Sequence, residues 1–371
     1  MSIASGSLML RSIINFVEPY DPGLFPEDLA EKYGLEVSEI VNLGSNENPY
    51  PPPPGVLEEI ISALGKINRY PHPSYTALKE RLASYVGLDK SYISVGAGAS
   101  ELLDNVCKAF LDPLDRVVVP IPTYTLYILL AMLREAEVHF VETEGSAFQV
   151  DLESLLEASR YAKLVFMGSP NNPTGAVVPL DILDKFLGET EGILVLDETY
   201  HEFSGISAAK LVEDRSNLIV IRSMSKYFSL AGLRIGYSIS NPKVAEALEK
   251  IRLPFSISMP AVRGATRALE ELEYFREKRE RILSERNRLI HELKRFSFLK
   301  AYPSHANFVL LKVLEKPFES DLTEFLARKH IIVRGLTGLL GLKGEYVRVT
   351  VGRPEENSRF IEACEEVEEL L

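Results

Sequence analysis

Between residues 40 and 240, short uninterrupted runs of branched apolar residues alternate with helical periodicity. "YISVGAG" precedes "ASELLDNVCKAFL", and "RVVVP" precedes "TYTLYILLAMLREA". "AKLVFMG" (162–168), "GILVLDE" (192–198) and "LIVIRS" (218–223) continue the series. A run with no polar interruption suits a strand buried on both faces. Strand–helix alternation then predicts an α/β fold, a mostly parallel sheet with helices on both sides. The pattern changes after Pro254. A charge-laced helix is expected over about 272–296, buried along Phe275, Ile282, Leu289 and Leu293. Strands at 306–313, 331–334 and 346–352, a helix at 319–329 and a closing helix from Glu355 follow. This predicts an N-terminal arm (1–39), a large domain (40–254) and a smaller C-terminal α/β domain (255–371). The 371-residue length agrees with about two to three domains' worth of core.

Charge narrows the function. The chain carries 41 basic and 53 acidic residues, a net charge of −12. General attraction to nucleic acid or an anionic membrane is not expected, so any anion site must be local. The basic residues of the 272–296 helix are interleaved with acidic ones and read as a solvated face. Cys107 and Cys364 are too few for a disulfide scaffold and form no CxxC pair, and the histidines show no HExxH, so no metal is expected. No apolar run reaches the ~20 residues of a membrane span. The opening "MSIASGSLMLRSIINF" lacks a basic start and a cleavage site. A cytoplasmic protein is the expectation.

The anion site has two candidate parts. "VGAGASELL" (95–103) is a glycine-rich turn from strand to helix, offering the backbone N–H groups of Ala99, Ser100 and Glu101 to a phosphate. Alone it is as easily a tight turn. "SMSKYFSLAGLRIGY" (223–237) adds Ser223, Ser225 and the fork of Arg234 around Lys226. Lysine forms Schiff bases with carbonyl cofactors. Pyridoxal phosphate, an aldehyde carrying a phosphate, suits this setting. Its other needs are also met. Asp197, ending a buried strand in "VLDETY", can face the pyridine nitrogen. Tyr200 and Asn172, the latter in "SPNNPTG", are candidates for the ring's phenolic oxygen. Tyr124 in "PIPTYTLY" can stack on the ring. Each has a plainer reading: a helix cap for Asp197, a core aromatic for Tyr124, a tight turn for "NNPTG". Their joint occurrence in this order favours the cofactor.

On these residues the chain resembles a fold-type I, class I/II pyridoxal-phosphate aminotransferase, and within that group the histidinol-phosphate aminotransferases. Further blocks carry the likeness: "PYDPG" (19–23), "LGSNENPY" (43–50), "RYPHPSYTALKERLA" (69–83), "LDETYHEFS" (196–204) and "IIVRGL…YVRVTVGRPEEN". The resemblance implies that Lys226 carries the cofactor as a Schiff base and Asp197 pairs with its pyridinium. It implies that Asn172 and Tyr200 hold the phenolic oxygen and Tyr124 stacks. Ala99, Ser100, Ser223, Ser225 and Arg234 would bind the phosphate. Tyr70 would reach the phosphate of a neighbouring subunit, and Tyr20 would likewise come from the partner, so a homodimer with shared sites is implied. Arg348 would clamp a carboxylate, and Arg334 with Tyr20 would meet the substrate's phosphate end. The implied reaction moves an amino group from histidinol phosphate to 2-oxoglutarate in histidine biosynthesis. Alternatives are a threonine-phosphate decarboxylase, a broad or aromatic aminotransferase, and a regulator that binds the cofactor without turnover. The chain has "NPYPPPP" where the family often has "NPYGPSP", and Ser100 where the family often has an acidic residue.

Overall fold

In the computed structural model, residues 10–145 and 147–371 are described. The apolar patch at the extreme N-terminus, and with it the reading of a leader segment, falls mainly outside them. The strands are β1 (Val41–Leu43), β2 (Ile93–Gly96), β3 (Arg116–Ile121), β4 (Glu137–Glu142), β5 (Ala162–Gly168), β6 (Ile193–Asp197), β7 (Leu218–Ser223), β8 (Gly236–Ser240), β9 (Leu299–Ala301), β10 (Phe308–Val313), β11 (Ile331–Gly335) and β12 (Tyr346–Thr350). β2 to β8 form a seven-stranded sheet in the order β2-β8-β7-β6-β5-β3-β4. Only β8 runs antiparallel to its neighbours.

The apolar runs explain this sheet. Leu164 and Phe166 of β5, Val195 of β6 and Ile219 and Ile221 of β7 enter one core. Val165 and Met167, Leu194 and Leu196, and Leu218 and Val220 enter the other. Successive side chains alternate faces, so an unbroken apolar strand requires a core on each side. A Leu or Phe fully buried this way stabilises the fold by roughly 1.5–3 kcal/mol. The helix Gly98–Phe110 supplies Leu102, Leu103 and Val106 to the core shared with Leu164 and Phe166.

The smaller sheet has the order β1-β11-β12-β10-β9. β1 pairs in parallel with β11, nearly three hundred residues downstream. Residues 41–43 therefore belong to the smaller sheet, whereas a division at residue 40 puts them in the large domain. The expected long helix is Leu272–Leu293, with Phe275, Ile282, Leu289 and Leu293 buried. A helix runs Thr76–Val86. Tyr75 takes a left-handed conformation (φ 47°) and turns the chain, leaving Ser74 bonded to the Thr76 hydroxyl. No described helix is long and apolar enough to cross a membrane.

Candidate active site

Five strands of the large sheet point their C-terminal ends at one cavity of about 590 Å³. Beyond β2 come Ala99 and Ser100, beyond β3 Tyr124, beyond β5 Asn172, at the end of β6 Asp197, and from β7 Ser223, Ser225 and Lys226. Open α/β sheets place their sites at such ends because the loops there diverge from a rigid frame. β11 and β12 close the cavity with Arg334 and Arg348. The candidate residues read from the sequence line this one cavity, except Tyr70 and Glu101.

Tyr70 is 76% exposed and stacks on Phe255, with ring centroids 4.4 Å apart. Tyr20, expected from a partner, lines the cavity of its own chain, edge-on to Tyr124 at 6.2 Å. Arg334 holds the 19–23 stretch there: its Nη2 donates to the Asp21 carbonyl and lies 3.3 Å from the Asp21 carboxylate. Gly23, with φ of +81°, lets the chain pass so close that a Cβ would stand 2.5 Å from Arg334 Nη1.

Asp197 is buried and committed on both oxygens. Tyr127 donates its hydroxyl to Oδ2 at 2.8 Å, and the Thr199 N–H donates to Oδ1 at 2.9 Å. Burial raises its pKa, and the bonds from Thr199 and Tyr127 oppose that rise. A cationic partner in the cavity would hold it ionised. Lys226 donates from Nζ to the Ser45 carbonyl at 2.8 Å. Burial, and then the Arg348 and Arg234 charges, push its pKa down to about 8. A substantial neutral fraction, and so a nucleophilic amine, exists near neutral pH. The Asn46 amide donates to the Tyr200 hydroxyl at 3.0 Å, and the Asn46 N–H donates to the Thr350 hydroxyl at 2.8 Å. Asn46 thus ties Tyr200 to β12.

The phosphate candidates also converge. The first-turn N–H groups of helix Gly98–Phe110 have no acceptor within the helix, and no side chain caps them. A Cβ on Gly98 would lie 2.7 Å from Arg234 Nη2, and one on Gly236 would lie 2.6 Å from the Ala99 nitrogen. Bare glycines therefore let the helix end, β8 and the Arg234 guanidinium close on one point. The hydroxyl of Ser223 accepts from the Ser225 N–H at 3.1 Å. Amides, hydroxyls and a guanidinium suit a phosphate dianion, while Lys226 and Asp197 suit an aldehyde and a pyridine nitrogen. The residues fit pyridoxal phosphate.

The other half is built on two arginines. Arg334 stands directly opposite Arg348 in the β11–β12 register. Arg348 donates through Nη1 to Asn172 Oδ1 at 2.7 Å and through Nη2 to the Gly44 carbonyl at 2.6 Å. Its Nε and the Nη1 of Arg334 are buried without partners among the described residues. Burial and the Arg334 charge lower the pKa of Arg348. Lys226, Arg234, Arg334 and Arg348 line the cavity against only Asp197 and Glu47, a local excess of two positive charges in a chain of net charge −12. Such a cavity attracts small anions.

Tyr127, Asn46, Thr350, Leu336 and Leu339 were not foreseen. Tyr127 lies in the first turn of the helix Leu126–Leu133, and Tyr124, just before that helix, meets its ring edge-on at 5.7 Å. Asn46 sits in "SNENP" with a positive φ of 51°, and its partner Thr350 lies 304 residues away, so no local pattern reveals the pairing.

Residues 38–364 match the family described as aminotransferase class I and II. The chain is 48% identical over 358 residues to histidinol-phosphate aminotransferase 2 of Archaeoglobus fulgidus, covering 96% of this chain and 100% of that protein. It is 36% identical to the histidinol-phosphate aminotransferase of Methanothermobacter thermautotrophicus, covering 99% and 100%. Among solved structures it is similar to the histidinol-phosphate aminotransferase from Sinorhizobium meliloti in complex with pyridoxal-5'-phosphate, with a TM-score of 0.86, 27% identity, and 98% and 99% coverage. The chain belongs to the class I and II aminotransferases, whose cofactor is pyridoxal phosphate.

Proposed function

We propose that this enzyme transfers the amino group of histidinol phosphate to 2-oxoglutarate, giving imidazole acetol phosphate and glutamate, as a step of histidine biosynthesis. The observation that carries this reading is the pair Arg334 and Arg348, side by side with buried unpartnered guanidinium nitrogens on a cavity that also holds Lys226. Two cations beyond the cofactor's own phosphate site suit a substrate pair of one phosphate monoester and one dicarboxylate. The similarity to proteins named histidinol-phosphate aminotransferase supports the same donor.

Pyridoxal phosphate supplies an aldehyde for the amino group and a pyridinium ring that accepts the electron pair of the broken Cα–H bond. Ala99, Ser100, Ser223, Ser225 and Arg234 would hold its phosphate. Asp197 would hold the ring nitrogen protonated, with Tyr127 and Thr199 fixing the carboxylate. Asn172 and Tyr200 would hold the phenolic oxygen, and Tyr124 would cover the ring face. Lys226 Nζ, once free, takes the proton from the donor's Cα as general base and returns it as general acid. Arg348 fixes the carboxylate of glutamate or 2-oxoglutarate by two parallel bonds. Arg334 and Tyr20 take the phosphate of histidinol phosphate. The exposed Tyr70 reaches a second subunit's site, which makes the working unit a cytoplasmic homodimer. Mixing Lys226→Ala and Tyr70→Ala variants restores part of the activity if hybrid dimers form, whereas an active monomer in sedimentation rules the shared site out.

A threonine-phosphate decarboxylase would use both arginines on one molecule. Incubation with histidinol phosphate and 2-oxoglutarate separates the readings. Glutamate without released carbon dioxide is expected. Carbon dioxide released from threonine phosphate, with no need for a keto acid, contradicts the proposal.

A further inference from the structure

The connection between β11 and β12 reaches into the cavity with two leucines. Leu336 and Leu339 line it beside Arg334, Tyr20 and Tyr124. The Leu336 N–H donates to the Tyr346 carbonyl at 2.9 Å, extending the β11–β12 ladder past Gly335. Two successive turns follow: the Leu339 N–H donates to Leu336 O at 3.1 Å, and the Leu342 N–H to Leu339 O at 3.0 Å. Gly338, Gly341 and Gly344 take φ values of 84°, 85° and 103°, which side chains rarely adopt. Leu342 is buried with Tyr302, Leu310 and Tyr346, and Leu336 and Leu339 pack at the edge of that cluster.

The far end of the connection rests on the large domain. A Cβ on Gly341 would lie 2.6 Å from the Pro122 nitrogen and 2.9 Å from the Ile121 carbonyl carbon. Pro122 is two residues before Tyr124. The loop that carries the leucines is therefore seated against the segment that carries the ring-facing tyrosine. The half-buried Leu336 and Leu339, beside Arg334, gain further burial only when an apolar surface covers them.

We propose that Leu336 and Leu339 are specificity-determining residues that form the wall for the aromatic side chain of the amino donor. Gly341 is a positioning residue that sets the distance of that wall from Tyr124. The charged ends of the donor belong to the arginines, and its ring faces the leucines. The inference deepens the aminotransferase reading and rests on it. It assigns a site to ring-bearing donors as a class, with or without phosphate.

The test uses the pyridoxal-phosphate-loaded enzyme and three donors: histidinol phosphate (ring and phosphate), phenylalanine (ring only) and glutamate (neither). In Leu339→Asn and Leu336→Asn, kcat/KM for the ring donors relative to glutamate should fall about tenfold, carried by KM, as expected for loss of an apolar contact. Gly341→Ala, whose Cβ would press on the Ile121–Pro122 backbone, should move the same ratio in the same direction through KM. A wild-type enzyme that uses phenylalanine but not histidinol phosphate overturns the proposed donor and leaves the wall supported if the phenylalanine-to-glutamate ratio falls in the variants. A ratio unchanged within twofold in both leucine variants, or a wild-type enzyme that uses neither ring donor, overturns the wall.

Discussion

The two sides of the cavity are finished to different degrees. On the large-domain side the Asp197 carboxylate and the Tyr200 hydroxyl already have partners, and what stays open is the first helical turn at Ala99 and Ser100. Asp197 has two donors on its carboxylate and Tyr200 accepts from Asn46. On the small-domain side, nitrogens of Arg334 and Arg348 are buried without partners. A buried donor left unsatisfied costs about 1–3 kcal/mol. The difference teaches a division of labour. Under the proposed function, one side would hold a resident group in a fixed place on permanent side-chain supports. The other side would meet ligands that come and go, with hydrogen-bonding capacity kept open for them.

The comparison breaks most visibly at Lys226. Lys226→Ala should lose about 10²–10⁴-fold in turnover from proton transfer alone. Borohydride reduction of the wild-type enzyme should fix the cofactor on a peptide containing Lys226. A label on another lysine contradicts the assignment. Asp197→Asn should keep much of the cofactor yet lose about 1.5–3 kcal/mol of transition-state stabilisation, since a charged buried hydrogen bond is gone. Near-normal turnover there would show that Asp197 does not face the ring.

A stability measurement sharpens the same contrast. The folded-state pKa of Lys226, about 8, lies below its ordinary 10.5, so its burial opposes folding of the cofactor-free protein at neutral pH. The penalty is about 3 kcal/mol and is fully present below pH 8. It disappears as pH rises from about 8 to 10.5, where the unfolded chain holds the extra proton. Lys226→Met should therefore stabilise the cofactor-free protein at pH 7 by about 2 kcal/mol, after losing the bond to Ser45 worth ~1 kcal/mol. The gain should be lost before pH 10.5, where the variant is less stable by the ~1 kcal/mol of the missing bond, and denaturant titrations at the two pH values check it. The smallest effect belongs to Tyr127→Phe. Removing one neutral donor to Asp197 should cost about 1 kcal/mol, roughly fivefold in kcat, with KM little changed. Steady-state kinetics would show it, and a rise in KM alone would place Tyr127 in substrate binding instead.

The two sides also differ in how far they can be read from the sequence. β5, β6 and β7 announce themselves because both faces are buried and the runs are unbroken. The residues proposed to hold the cofactor stand at their ends, within a few positions of each strand. β4 is an exposed edge strand, "EVHFVE", whose glutamates hide it. β1 has three residues and pairs across nearly the whole chain. The same distance hides Asn46–Thr350. Tyr20 was legible as a site residue but not as one in its own chain's cavity. Its place depends on the bond from Arg334 to the Asp21 carbonyl, 313 residues apart.

The division between a fixed cofactor side and an open substrate side is tested most directly at Arg334. In Arg334→Gln, cofactor content should be unchanged. KM for histidinol phosphate should rise by about 10–100-fold, because a charge-assisted contact of about 1.5–3 kcal/mol is lost for one substrate. KM for glutamate should move far less. Equal losses for both substrates, or loss of the cofactor, would contradict the account.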